Sequence, residues 1–215
     1  MKLEAVIFDF DGVIADTMHD NYKAWKKVFA EHNVEIDGQE FFLMEGMSRN
    51  EIAAFFIEKH KLEGLVIGTI VDKKEWYYKQ DNSFRIYDEI PAIFELLKSK
   101  NIKTGLVTGA GRERLEATLN EEWRSFFDVI ITSDEVKNGK PHPEPYLKAI
   151  EKLKSNPNNT LVIENAKQGI RSAKAAGCQC IAVETTLSKM HLTEADEIFS
   201  HHQEILNYFV KNYEY

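Results

Sequence analysis

Two aspartates carry the chain's plainest chemical signal. Asp9 and Asp11 follow the apolar run Ala5–Phe8, and Gly12 follows them. At a spacing of two, side chains leaving the end of a strand face the same way. Carboxylates held about 4 Å apart repel by about 4 kcal/mol at an effective dielectric of 20. A cation beside them removes that cost, and hard oxygen ligands select Mg²⁺. Gly12 permits a sharp backbone turn just past the pair.

The same Asp-x-Asp spacing serves a solvated turn, and it occurs in glycosyltransferases that hold a metal and a nucleotide sugar, so it does not decide by itself. Three later stretches add to it. Thr108-Gly109 offers a hydroxyl and a flexible amide, both able to donate to a phosphate oxygen, although Thr108 alone reads as a turn residue. Lys140 precedes the proline-rich turn of KPHPEP, where a charge is aimed rather than loose; an isolated lysine is ordinarily solvated. Glu164-Asn165 offers two oxygen donors for a hard cation, or in Asn165 a helix cap.

These residues need a scaffold that gathers them. Each ends a short apolar run (Ala5–Phe8, Gly105–Val107, Leu161–Ile163) or follows closely on one (Val129–Ile131); Ile181–Val183 is a fifth such run. Their lack of polar alternation marks strands buried on both faces. Between them lie helical patterns at Ile90–Ser99, Glu113–Leu119, Pro145–Leu153 and Gln168–Ala176, the last closed by Gly177. Alternating strands and helices predict an α/β fold, a Rossmann-like doubly wound parallel sheet, whose ligands bind beyond the carboxyl ends of the strands. Residues 16–84 break the alternation. Asn21–Glu31, with Tyr22, Trp25, Val28 and Phe29 on one side, reads as an amphipathic helix, and Glu51–Lys59 and Asp72–Gln80 read as helices too. The expected organisation is a catalytic core of residues 1–15 and 85–215, with a small α-helical cap of residues 16–84 inserted after the first strand.

Composition narrows the function classes. The chain has 215 residues, and 27 Lys and Arg against 35 Asp and Glu give a net charge of −8, which argues against nucleic-acid binding. The longest apolar run, Ile52–Ile57, is far below a membrane span. The first strand starts too early to leave room for a secretion signal, so a cytoplasmic location and no membrane partner are expected. Cys178 and Cys180 read as buried small hydrophobes rather than as a bridged pair. The seven histidines suggest no catalytic triad; His142 reads as a loop residue, His201-His202 as a solvated pair, Lys73-Lys74 as a solvated face, and Trp76-Tyr77-Tyr78 as packing. A monomer is expected.

Taken in order, DFDGVIADT, VTG, GKPHPEPY and VIENAKQGIRSAKAAG resemble the haloacid dehalogenase superfamily, in particular its β-phosphoglucomutase-like and phosphoglycolate-phosphatase-like branch. The resemblance covers nearly the whole core, and the helical insert matches the branch's cap in position and length. It implies that Asp9 is the nucleophile forming an aspartyl-phosphate, and that Asp11 is the general acid and then base. It implies that Thr108 and the Gly109 amide hold the phosphate, and that Lys140 neutralises phosphate and nucleophile. Mg²⁺ would sit on Asp9, the Asp11 carbonyl, Glu164 and Asn165. Phosphoryl transfer is mostly positioning and charge neutralisation, which suits these assignments. An acid at Asp11 also favours phosphate esters and anhydrides over halo-acids, since a departing halide needs no proton.

The chain departs from the branch in places. Asn165 stands where an acid is common, which removes one negative charge from the metal corner. Met44–Arg49 resembles the substrate-reading cap loop, with Glu45, Gly46 and Arg49 as candidate substrate residues, and Arg49 in position to grip a remote phosphate. Mutase members carry lysine where Glu45 stands and histidine where Asn21 stands. The expectation is therefore a phosphohydrolase acting on a small phosphate compound: a sugar phosphate, phosphoglycolate or inorganic pyrophosphate. A hexose-phosphate mutase and a phospho-accepting or binding module with weak catalysis are the alternatives. Glu45 is also a candidate to ligate the metal from the cap side, offsetting the charge lost at Asn165.

Overall fold

A computed structural model describes residues 2–81 and 83–213. Six parallel strands form one sheet in the order β3-β2-β1-β4-β5-β6: β1 (Ala5–Phe8), β2 (Lys103–Val107), β3 (Val129–Ile131), β4 (Thr160–Glu164), β5 (Gln179–Val183) and β6 (Glu197–Phe199). β1 is central, with Phe8 beside Leu106 of β2 and Ile163 of β4. The order reverses on either side of β1, so the crevice at its carboxyl end is the switch point where doubly wound sheets bind ligands.

Seven helices come between β1 and β3, the first four of them an insert: α1 (Met18–Ala30), α2 (Gly38–Leu43), α3 (Arg49–Lys59), α4 (Ile67–Gln80), α5 (Ile90–Ser99), α6 (Arg112–Thr118) and α7 (Glu121–Arg124). α8 (Glu144–Leu153), α9 (Lys167–Ala175) and α10 (His202–Tyr213) complete the core. Val6, Phe8, Leu106 and Leu161 face one layer, with Phe94 of α5 and Phe209 of α10; Ile7, Val107 and Val162 face the other, with Tyr146 of α8 and Ile170 of α9. Successive strand residues thus feed both cores, which is why the runs lack polar alternation. Gly105 is held small by this packing: a Cβ there would lie 3.1 Å from Leu153 and 3.3 Å from Ile7.

The helices of residues 18–80 have an apolar cluster of their own around Trp25, Phe29, Phe56 and Ile70. Two adjacent crossings tie this insert to the sheet, where Asp16 N donates to the Arg85 carbonyl and Tyr87 N to that of Ile14. α3 begins with a capping box between Ser48 and Glu51, fixing the loop that carries Glu45–Met47. Strand β6 and helices α2, α7 and α10 lie outside the elements expected from sequence. His202 is not solvated: it is buried, its Nε2 donates to the Val13 carbonyl at 2.7 Å, and its ring stacks on Tyr87 with centroids 4.0 Å apart. Cys178 and Cys180 are both buried and free.

Candidate active site

The strand tips do converge. Asp9 follows β1, and its Oδ1 accepts from Lys140 Nζ at 2.5 Å. The same ammonium donates to Glu164 Oε1, the end of β4, at 2.6 Å. All three side chains are almost fully buried. Burial pushes the Asp9 carboxyl up, Lys140 opposes it and Glu164 and Asp11 add to it, leaving it at about 7. Burial disfavours the Lys140 charge, yet Asp9 and Glu164 outweigh it, so the ammonium is held above its ordinary range. Glu164 uses both oxygens: Oε1 also accepts from the Tyr146 hydroxyl at 2.7 Å, and Oε2 from the amides of Asn165 and Ala166. Its carboxylate therefore anchors Lys140. A Cβ on Gly169 would sit 1.7 Å from Glu164 Oε1, so the first turn of α9 must lack a side chain there.

Thr108 and Gly109 follow β2. Thr108 is buried and its Oγ1 accepts from the Ala110 amide at 3.0 Å. A Cβ at Gly109 would approach the Met47 carbonyl to 2.9 Å, and one at Gly46 (φ +88°) the Gly169 amide to 3.2 Å. The loop between α2 and α3 thus lies directly on the strand tips and closes over them. Gly12 has φ +84°, and a Cβ there would lie 2.0 Å from Asn165 Nδ2, so both its backbone and its neighbour require glycine.

Glu45 is buried beneath this loop, where Asn165 Nδ2 donates to its Oε1 at 2.5 Å. Burial raises its carboxyl well above the ordinary value, and the charges of Asp9, Glu164 and Asp11 add to that. Glu45 Oε2 and Asn165 Oδ1 are buried with no hydrogen-bond partner, a state that costs about 1–3 kcal/mol for each such group. Two unsatisfied hard oxygens beside Asp9 suit a divalent cation. Among the described residues no three Asp, Glu, His or Cys side chains form a closed cage, since Lys140 fills the place between Asp9 and Glu164. Asn165 and Glu45, with Asp9 nearby, offer oxygens that fit a cation, whereas Glu164, expected as a ligand, is taken up by Lys140, Tyr146 and backbone amides.

Asp11 faces elsewhere. Thr17 Oγ1 donates to its Oδ1 at 2.5 Å, Asn21 Nδ2 to the same oxygen at 3.0 Å, and Arg114 grips both carboxylate oxygens. Burial pushes the Asp11 carboxyl up, but Arg114, Thr17 and Lys74 outweigh it and hold it below the carboxylate norm. Arg114 on α6 and Lys74 on α4 each donate to Asn21 Oδ1 at 2.8 Å. Two cations no more than about 5.6 Å apart repel by about 3 kcal/mol at an effective dielectric of 20. Burial first, and Arg114 second, lower the Lys74 ammonium to about 8. Both cations lie about 5 Å from the Tyr78 ring centre.

Sequence reasoning missed this cluster. Lys74 is not on a solvated face but 2% exposed, whereas Lys73 is exposed and paired with Glu31. Arg114 sat unnoticed in the charged stretch RERL. The available signal was Tyr78, one helical turn from Lys74. Arg49, half-buried, bonds Asp134 at 3.0 Å across the gap between insert and core. Asp9, Asp11, Asn21, Glu45, Arg49, Lys74, Gly109 and Arg114 line one cavity of about 480 Å³, its open mouth included, with an apolar wall that includes Met18, Trp25 and Phe41.

A family model described as haloacid dehalogenase-like hydrolase matches residues 6–183. The chain is 32% identical to the phosphorylated carbohydrates phosphatase of Thermotoga maritima over 189 residues, 83% of this chain and 84% of that protein. It is 28% identical over 203 residues, 93% of this chain, to the bifunctional riboflavin kinase/FMN phosphatase of Arabidopsis thaliana, of whose length it spans about half (52%). The solved structure of β-phosphoglucomutase from Clostridium difficile is 28% identical and superposes with a TM-score of 0.80, covering 98% of this chain and all of that one (100%).

Proposed function

The chain belongs to the haloacid dehalogenase-like hydrolases, and from that premise we propose that it is a Mg²⁺-dependent phosphohydrolase of small phosphate compounds, working through an aspartyl-phosphate at Asp9. It is a hydrolase of the phosphatase kind, and such enzymes generally use a divalent metal ion. The observation that carries the finer reading is the Asp9–Lys140–Glu164 triad at the switch point of the sheet, a buried nucleophile whose counter-charge is held rigidly.

Asp9 attacks phosphorus, and the bond to the leaving oxygen breaks as Asp11, protonated once the Arg114 grip that keeps it ionised is released, gives that oxygen a proton. Thr108 and the Gly109 amide orient the phosphoryl oxygens, and Lys140 balances charge on both nucleophile and phosphate. Water then attacks the aspartyl-phosphate while Asp11, now ionised, takes its proton. Mg²⁺ bound by Asp9, the Asp11 carbonyl, Asn165 and Glu45 would supply charge neutralisation at the phosphoryl group. Glu164 acts by holding Lys140. The insert of residues 16–84 serves as a cap that keeps bulk water out, with Glu45 and Gly46 over the phosphate and Arg49 at the rim.

Sugar phosphates, phosphoglycolate and pyrophosphate fit this reading. A phosphate-release screen with Mg²⁺ over these compounds, including β-glucose 1-phosphate, tests it. Release abolished in Asp9→Asn supports it. Glucose 6-phosphate as the product would instead identify a mutase, and no release from any compound would overturn the assignment.

A further inference from the structure

We propose that Arg114 and Lys74 form a second anion subsite, selecting phosphate compounds whose leaving portion carries its own carboxylate or phosphate close to the scissile bond. The inference rests on the reading of the cavity as a phosphoryl-transfer site and adds what lies on the far side of the broken bond.

Three observations support it. The two cations are 6% and 2% exposed, and both open onto the cavity that holds Asp9 and Asp11. They share one neutral oxygen, Asn21 Oδ1, at 2.8 Å each. An amide oxygen answers two positive charges poorly; an anionic oxygen in its neighbourhood would be bound more strongly, through charge-assisted hydrogen bonds. Arg114 Nε, moreover, is buried with no hydrogen-bond partner, a donor left over in the site. Negative charge is present but committed: Lys74 pairs with Glu75 at 3.2 Å, and the Asp11 carboxylate is gripped by Arg114.

That grip restricts the substrate. Asp11 must aim an oxygen at the leaving group, and Arg114, Thr17 and Asn21 now engage that carboxylate. An anion on the leaving portion takes over guanidinium donors and lets Asp11 turn. Because Arg114 touches Asp11 directly, the second anion lies only a few bonds from the leaving oxygen. Pyrophosphate, whose leaving group is itself phosphate, and phosphoglycolate, with a carboxylate one methylene from the leaving oxygen, meet that condition; a sugar phosphate with an uncharged leaving portion does not.

The test is binding to the turnover-blocked Asp9→Asn protein, by calorimetry at fixed Mg²⁺. Phosphoglycolate and 2-hydroxyethyl phosphate share the phosphate ester and methylene and differ in carrying a carboxylate or an uncharged hydroxymethyl group, and pyrophosphate separates phosphate from carboxylate as the preferred anion. Phosphoglycolate or pyrophosphate should bind about tenfold to a hundredfold more tightly than 2-hydroxyethyl phosphate, the range of one or two charge-assisted hydrogen bonds. Adding Arg114→Met should bring that ratio close to one, and Lys74→Met should lower it partway. If Arg114→Met misfolds because Asp11 is left unpaired, the Asp11→Asn, Arg114→Met combination removes both ends of the pair and carries the same expectation. Equal affinity for charged and neutral ligands, or equal weakening of both by Arg114→Met, overturns the subsite while leaving the phosphohydrolase reading intact. Binding of none of the three overturns both.

Discussion

Lys140→Met is the most informative single change to stability. Its ammonium stands 2.5 Å from Asp9 and 2.6 Å from Glu164, all three side chains within the buried core. Removing one partner of a buried ion pair costs about 3–5 kcal/mol, because the remaining charge stays desolvated. In a domain of this size that corresponds to a fall in Tm of about 6–20 °C. The loss should depend on pH in a definite direction. The folded Asp9 carboxyl already stands at about 7, above its unfolded value. A carboxyl raised on folding contributes stability at low pH that is lost as pH rises through the folded value. Without Lys140 it is raised further, so the loss should be about 1.4 kcal/mol larger near pH 8, one pH unit above the parent's folded value, than near pH 5. Urea denaturation of metal-free protein at the two pH values measures it. A loss under about 1 kcal/mol, the worth of a surface pair, and the same at both, would refute the claim that Lys140 neutralises a buried acid pair.

Three further changes address other parts of the site. Asp11→Asn should slow alkyl phosphate hydrolysis by several orders of magnitude, whereas with p-nitrophenyl phosphate, whose leaving group needs no proton, it should spare formation of the aspartyl-phosphate and slow only its hydrolysis; a burst of p-nitrophenol followed by slow turnover reads the difference. Glu45→Gln should weaken Mg²⁺ binding by calorimetry. It should also flatten the fall in metal-free Tm between pH 5 and 8, since the raised Glu45 carboxyl loses stability as pH rises. Gly109→Ala places a methyl 2.9 Å from the Met47 carbonyl, so it should impair closure and raise KM with little change in Tm.

Much of this architecture is legible in the residues. The run Ala5–Phe8 is strand β1 residue for residue, because a strand buried on both faces must be apolar throughout. Ile90–Ser99 likewise matches α5. Strand β6, three residues at the sheet edge, is too short and too exposed to imprint a pattern. Asp9, Thr108 and Lys140 were recognisable because each follows an apolar run or precedes a rigid turn. Lys74 and Arg114 were not: each sits in a polar helical stretch indistinguishable from a solvated one, and only the docking of α4 and α6 around Asn21 and Tyr78 buries them. His202 is the same case, buried by the distant Val13 and Tyr87. Glu164 shows the opposite limit. Its position was readable, but not that both its oxygens turn to Lys140, Tyr146 and the backbone.

The central claim is that Asp9 becomes phosphorylated during turnover. Rapid acid quench of the Mg²⁺-loaded protein with its best substrate, followed by peptide mass spectrometry, should find one phosphoryl group on the peptide containing Asp9 and none in Asp9→Asn. Phosphate release at full rate with that peptide unmodified at every quench time, or release that survives Asp9→Asn, would contradict it.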